Sequence, residues 1–144
     1  NSDLCAIVSS NVGDGFIIKH EDMFAQTRSG KKIINLKTGV FANCLKNIEG
    51  DAIASIGTNR KLLIFKIEEL PVLNRGKGVR LQKFKDATLS DITSFELETG
   101  LVWFDKSGRK KIESNFENWQ GKRAQSGKIA PKYFPKNNMF NTIQ

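Results

Sequence analysis

Three stretches of this chain set glycine among clustered cations. They are "TRSGKK" with Arg28, Lys31 and Lys32, "NRGKGVR" with Arg75, Lys77 and Arg80, and "KRAQSGK" with Lys122, Arg123 and Lys128. Lysine and arginine supply charged donors for phosphate oxygens. Glycine reaches positive φ and lets a tight turn approach another backbone. Gly30, Gly76, Gly78 and Gly127 are the expected turn glycines. Further cations, Arg60 with Lys61 and Arg109 with Lys110 and Lys111, fall in the short turns "GTNRK" and "DKSGRKK". The pattern predicts contact with a polyanion. It does not predict a nucleotide-cradling loop, because a P-loop needs four residues between its glycines and then Lys-Ser/Thr opening a helix. In "RGKGVR" the lysine is followed by glycine and a strand-like run.

Covalent chemistry finds little material. His20 is the single histidine, and "KHED" reads as a strand end entering a turn. The acidic pairs Glu21/Asp22 and Glu68/Glu69 recur at one phase of the chain, which marks them as structural, with capping of a short step as the expected role. Cys5 and Cys44 lie far apart in apolar contexts and read as buried thiols outside any disulfide. One histidine and two cysteines cannot assemble a His/Cys zinc cluster. No catalytic residue, metal or cofactor is expected.

Charge supports a polyanionic partner. The net charge is +8. Lys and Arg exceed Asp and Glu by one in residues 1–50, by one in 51–100 and by six in 101–144. A strongly basic soluble domain suits nucleic acid or an acidic membrane surface. Most phenylalanines, including Phe16, Phe65, Phe95 and Phe104, fall inside apolar runs and read as core, with Trp103 beside them. Trp119 and Tyr133 stay unassigned. A single-strand binder should set aromatics among its cations, so double-stranded DNA held by its backbone fits better.

The elements that carry these loops are short strands: "CAIV", "GFIIK", "DAIASI", "KLLIF", "VRLQKF" and "GLVWF". "TSFELE" alternates as a half-buried strand should, and no window sustains a long helical period. The apolar runs are far too short to span a bilayer. No signal peptide opens the chain, and its start at Asn1 without Met suggests a piece of a longer protein.

Three segments, 6–36, 51–84 and 100–134, repeat one order: strand, tight turn, strand, acidic-apolar step ("HEDMF", "IEELP", "NFENW"), basic glycine loop, strand. Gly30, Gly78 and Gly127 recur 48 and 49 residues apart. "GVFANCLKNIEG" and "DATLSDITSFELETG" fill the gaps and supply a fourth strand. Units of this size are blades that bury their faces only by stacking. The expected fold is all-β, a propeller-like array of about three four-stranded blades over 6–50, 51–99 and 100–144 within one domain.

The order "GFIIKHEDMFAQTRSGKKIINL" then "RKLLIFKIEELPVLNRGKGVRL" resembles the C-terminal domains of bacterial type IIA topoisomerase A subunits, over roughly residues 4 to 135. "LNRGKGV" keeps one Arg, two Gly and the Lys of the gyrase-type box Gln-Arg-Arg-Gly-Gly-Lys-Gly, without its Gln and double Arg. The resemblance therefore points to the topoisomerase IV branch. It implies a β-pinwheel whose blades exchange strands and whose cationic rim bends duplex DNA without sequence specificity. It implies a non-catalytic domain of a cytoplasmic, nucleoid-associated enzyme. The nucleophilic tyrosine would then lie in the N-terminal part of the parent chain and the ATPase in a B subunit. Tyr133, in "KIAPKYF", is not that nucleophile. The rival expectation is a β-propeller-like protein-interaction module whose basic rim meets an acidic protein.

Overall fold

The computed structural model describes residues 4–28 and 42–140. Its strands are β1 (Cys5–Ser10), β2 (Asp14–Lys19), β3 (Ala42–Asn47), β4 (Ala52–Gly57), β5 (Lys61–Lys66), β6 (Val79–Arg80), β7 (Leu89–Phe95), β8 (Leu101–Phe104), β9 (Lys110–Glu113) and β10 (Lys128–Ile129). One helix, α1 (His20–Arg28), and two 3₁₀ turns, Ile67–Glu69 and Glu117–Trp119, complete the order.

The three acidic-apolar steps are all helical turns, and the first is longer than its sequence suggests. Glu21 and Asp22 lie in the first turn of α1, where the helix dipole favours negative charge. Nine mostly polar residues carry too little apolar periodicity to announce a helix. His20 opens that helix rather than a turn, and its Nε2 pairs with Asn47 Oδ1 at 3.0 Å. The second step stops where Leu70 turns extended ahead of Pro71. The capping role expected for Glu68 and Glu69 is corrected, because neither 3₁₀ turn has a side-chain cap. Glu69 Oε1 instead accepts the backbone N–H of Arg123 at 2.9 Å.

Two four-stranded antiparallel sheets run β3-β1-β2-β6 and β10-β5-β4-β7, and β8 pairs with β9. Sheets and contiguous repeats do not coincide. β6 comes from the second repeat yet closes the first sheet (Gly15↔Val79), and β10 comes from the third yet closes the second sheet (Leu62↔Lys128). Among the described residues the third sheet therefore holds only two strands.

The central sheet is buried on both faces. Ala52, Ala54, Ile56, Leu62 and Ile64 meet Leu101, Trp103, Phe134 and Phe140 of the third repeat. Ile53, Leu63 and Phe65, with Ile92, meet Ile7 and Ile17 of the first. Strict two-residue alternation thus divides one apolar strand between two cores. This is why β1 and β4 read as continuous apolar runs. "TSFELE" overshoots its strand, because β7 ends at Phe95 and residues 96–99 turn. Cys5 and Cys44 form no disulfide and are half-buried rather than buried. Burial and the nearby Asp91 carboxylate push the Cys44 thiol above its ordinary pKa.

Glycine sets the exchange. Gly78 (φ +81°) and Gly127 (φ +79°) lie where an added Cβ would run into the carbonyls of Gly15 and Leu62. At Gly76 (φ +137°) an added Cβ would meet only Leu73 Cδ1, at 3.9 Å in ordinary van der Waals contact. Gly78→Ala should therefore cost about 2–4 kcal/mol, combining left-handed strain with overpacking. Gly76→Ala, with backbone strain alone, should cost about 1–2 kcal/mol. Urea unfolding of both variants checks the ordering.

Candidate nucleic-acid interface

The backbone dictates where the basic loops stand. After the 3₁₀ turn the second repeat runs parallel to β2, with Val72 bridging Ile17 and Leu73 N donating to Ile17 O at 2.8 Å. It then reverses and pairs antiparallel with the start of the same strand at Gly15↔Val79. Residues 74–77, fixed at both flanks to one strand, must leave the sheet. The third repeat does the same on β5: Gln120 bridges Ile64, Gly121 N donates to Ile64 O at 2.7 Å, and Lys128 pairs with Leu62. Residues 122–127 leave the sheet there. Each of these two basic loops is thus a chain reversal on the outer edge of the preceding blade.

Successive loops are also bonded to each other. Ala124 N donates to Leu81 O at 2.8 Å, and Lys83 N donates to Gln125 O at 3.0 Å. Arg123 Nη1 donates to Arg80 O at 2.8 Å. The fully buried Gln82 accepts from Ser55 Oγ at 2.8 Å and donates through Nε2 to Lys61 O at 2.9 Å and Ser126 O at 3.0 Å. The segments 74–83 and 121–128 form one continuous edge.

Arg75, Lys77, Arg80, Lys122 and Lys128 are exposed on that edge. Lys77 Nζ comes within 3.9 Å of the Asp14 carboxylate, a contact of small energetic weight at an exposed lysine. Arg123 is half-buried and positions the loop through its two bonds. Arg109, Lys110 and Lys111 are exposed around the β8–β9 turn. Asp105 organises that turn by accepting from Arg109 N (2.9 Å), Ser107 N (3.0 Å) and Ser107 Oγ (2.7 Å). These bonds, that from Arg109 N first, hold its carboxyl below the ordinary carboxylate pKa. Arg28 ends α1, while Gly30, Lys31 and Lys32 lie outside the described residues.

Arg60 and Lys61 sit differently. Arg60 Nη1 donates to Pro135 O (2.8 Å) and Asn138 Oδ1 (3.0 Å), and Nη2 donates to Pro131 O (3.1 Å) and Phe134 O (2.6 Å). Its guanidinium carbon lies 5.9 Å from the Phe134 ring centroid. The arginine fastens the third repeat's last segment to the second blade, so its donors face the chain itself and not solvent. Lys61 is half-buried at the start of β5. Sequence reasoning passed over Lys83, exposed next to the buried Gln82 in "VRLQKF", and Lys132 and Lys136, exposed further on. The signal for Lys83 was its place three residues after the "VR" of the returning strand.

Among the described residues no group of His, Cys, Asp and Glu could hold a metal ion, and no helix is long and apolar enough to cross a membrane.

The fold is that of the C-terminal β-pinwheel domains of type IIA topoisomerase A subunits. The E. coli ParC C-terminal domain superposes with a TM-score of 0.75 at 21% identity, over 94% of this chain and 59% of that one. The gyrase A C-terminal domain superposes with a TM-score of 0.72 at 18% identity, over 96% and 47%. By sequence the chain is a homologue of the topoisomerase IV A subunits. It is 44% identical to the DNA topoisomerase 4 A subunit of Rickettsia conorii over 97% of its length, and 42% identical to that of Caulobacter vibrioides over 93%. It spans about a fifth of these relatives, 19% and 18%. No family model matches the chain.

Arg60→Lys keeps the charge and loses the planar fork. It should lower stability by about 1–3 kcal/mol and speed amide exchange at 134–138. An unchanged exchange pattern would show that the arginine does not hold this segment.

Proposed function

We propose that this chain is a non-catalytic DNA-binding module that grips duplex DNA by its phosphates, without base specificity, and bends it along the outer blade edge. The observation that carries this reading is the bonding of successive basic loops into one edge bearing Arg75, Lys77, Arg80, Lys83, Lys122 and Lys128. A line of cations on loops bonded to one another matches a ligand that repeats its charge along its length. Bending is the natural consequence when several fixed points on an arc each hold a phosphate, because the extra contacts offset the elastic cost of the duplex.

The homology extends the proposal to the longer protein. There the module would serve a type II DNA topoisomerase as part of its A subunit, presenting duplex for strand passage. The catalytic tyrosine, the metal site and the ATPase would lie outside this module, in the N-terminal part of that chain and in the partner B subunit. The module itself would need no cofactor. A cytoplasmic, nucleoid-associated setting follows from that role. The missing Gln and second Arg in "LNRGKGV" favour a shorter, weaker bend than a full wrap.

With about five phosphates neutralised, log K should fall against log salt with a slope of about −4 to −5. A flat salt response contradicts the reading. Charge reversal at Arg75, Lys77 and Arg80 should weaken binding to unrelated duplexes alike. A loss confined to one sequence would show base readout instead. Absence of duplex binding would leave an acidic protein as the partner.

A further inference from the structure

At the turn end of the third blade a cleft of about 690 Å³ opens between the β8–β9 turn and residues 132–137. Its volume falls in the range of small-ligand sites, about 300–1,000 Å³. Lys106, Arg109, Lys132 and Lys136 line it, against the single carboxylate of Asp105. That carboxylate is already bonded to the N–H groups of its own turn. Along the chain the cleft follows the rim, with Lys132 four residues after Lys128 across the segment that passes Arg60.

Tyr133 makes this cleft unlike the rest of the cationic surface. It is 65% exposed although its ring is fixed. One face stacks on the buried Trp103, with centroids 6.0 Å apart and planes 23° from parallel. The hydroxyl donates to Glu113. That bond, with partial burial and the carboxylate's charge, raises the phenol pKa above its ordinary value. The neighbouring Phe134 is buried beneath the Arg60 guanidinium and anchors the segment. One repeat earlier the aromatic of this segment, Phe84, is packed against Gly13 and Gly57. In the third repeat Phe134 fills the packing and Tyr133 is left over, held rigid with its outer face toward the cleft.

An oriented aromatic face in a cleft lined by four cations is suited to a nucleobase and its flanking phosphates, whereas a paired base in a duplex cannot reach it. We propose that this cleft binds an unpaired nucleotide, its base stacked on Tyr133 and its phosphates met by Lys132, Lys136 and Arg109. This inference rests on the DNA-binding reading and adds to it a preference for duplex carrying a short single-stranded tail, gap or frayed end.

The test compares a blunt duplex with the same duplex bearing an oligothymidine tail, by fluorescence anisotropy at one salt concentration. The wild-type chain should bind the tailed duplex about tenfold more tightly, the scale of one base–aromatic stack. Tyr133→Ala should abolish that preference and leave blunt-duplex affinity unchanged, and Tyr133→Phe should retain it. Should Tyr133→Ala fail to fold, Lys132→Glu with Lys136→Glu gives the same comparison from exposed positions. Equal wild-type affinity for the two duplexes overturns the cleft while leaving the rim reading intact, as does a preference that survives both sets of substitutions. If blunt duplex is not bound at all, the rim reading fails. The cleft is then judged on oligothymidine alone: Tyr133-dependent binding supports it, and no binding overturns it.

Discussion

The structure depends on strand exchange between neighbouring repeats. No described blade closes its outer edge with its own repeat. β2 is closed by residues of the second repeat and β5 by residues of the third. For the chain to run along a strand, reverse and pair with it again, the returning backbone must pass close to that strand's carbonyls. Only glycine fits at Gly78 and Gly127. The cations then follow as a geometric consequence. Residues between the two attachment points are expelled from the sheet, and in this chain those residues carry Arg75, Lys77, Lys122 and Arg123. One constraint therefore closes the blade and displays the charge.

Buried polar groups occupy the joints between repeats. Asp91, 2% exposed on β7, accepts Phe140 N at 2.9 Å and pairs with Lys46 of β3 at 3.1 Å. It thereby touches the first repeat and the end of the third from within the second. Gln82 joins β4, β5 and the third repeat's loop through both its oxygen and its nitrogen. Arg60 performs the same task at the turn end. Such groups contribute little net energy when satisfied and cost a great deal when one partner is lost. Their effect is to fix the angle between blades.

Much of this was legible in the sequence because it is repeated. Short strands, turn glycines at a constant period and basic loops at one phase led to stacked blades. The parts that were not legible have physical causes. A nine-residue polar helix leaves no apolar stripe, so α1 was hidden in "HEDMFAQTR". Exchange between repeats involves two-residue strands, β6 and β10, too short to show a period. Arg60 looks like every other cation in one dimension, and only the fold shows four acceptors around it. Tyr133 could not be assigned because Phe134 beside it is an equal candidate for the core.

Amide chemical-shift mapping with an isotope-labelled chain and a duplex of arbitrary sequence tests the central claim most directly. Shifts should run through 74–83 and on through 121–128, the same set for unrelated duplexes. None should fall at 48–51 and 96–100, the opposite ends of the strands. Shifts concentrated at those opposite ends, or a map that changes with DNA sequence, would contradict a phosphate-gripping edge built from exchanged loops.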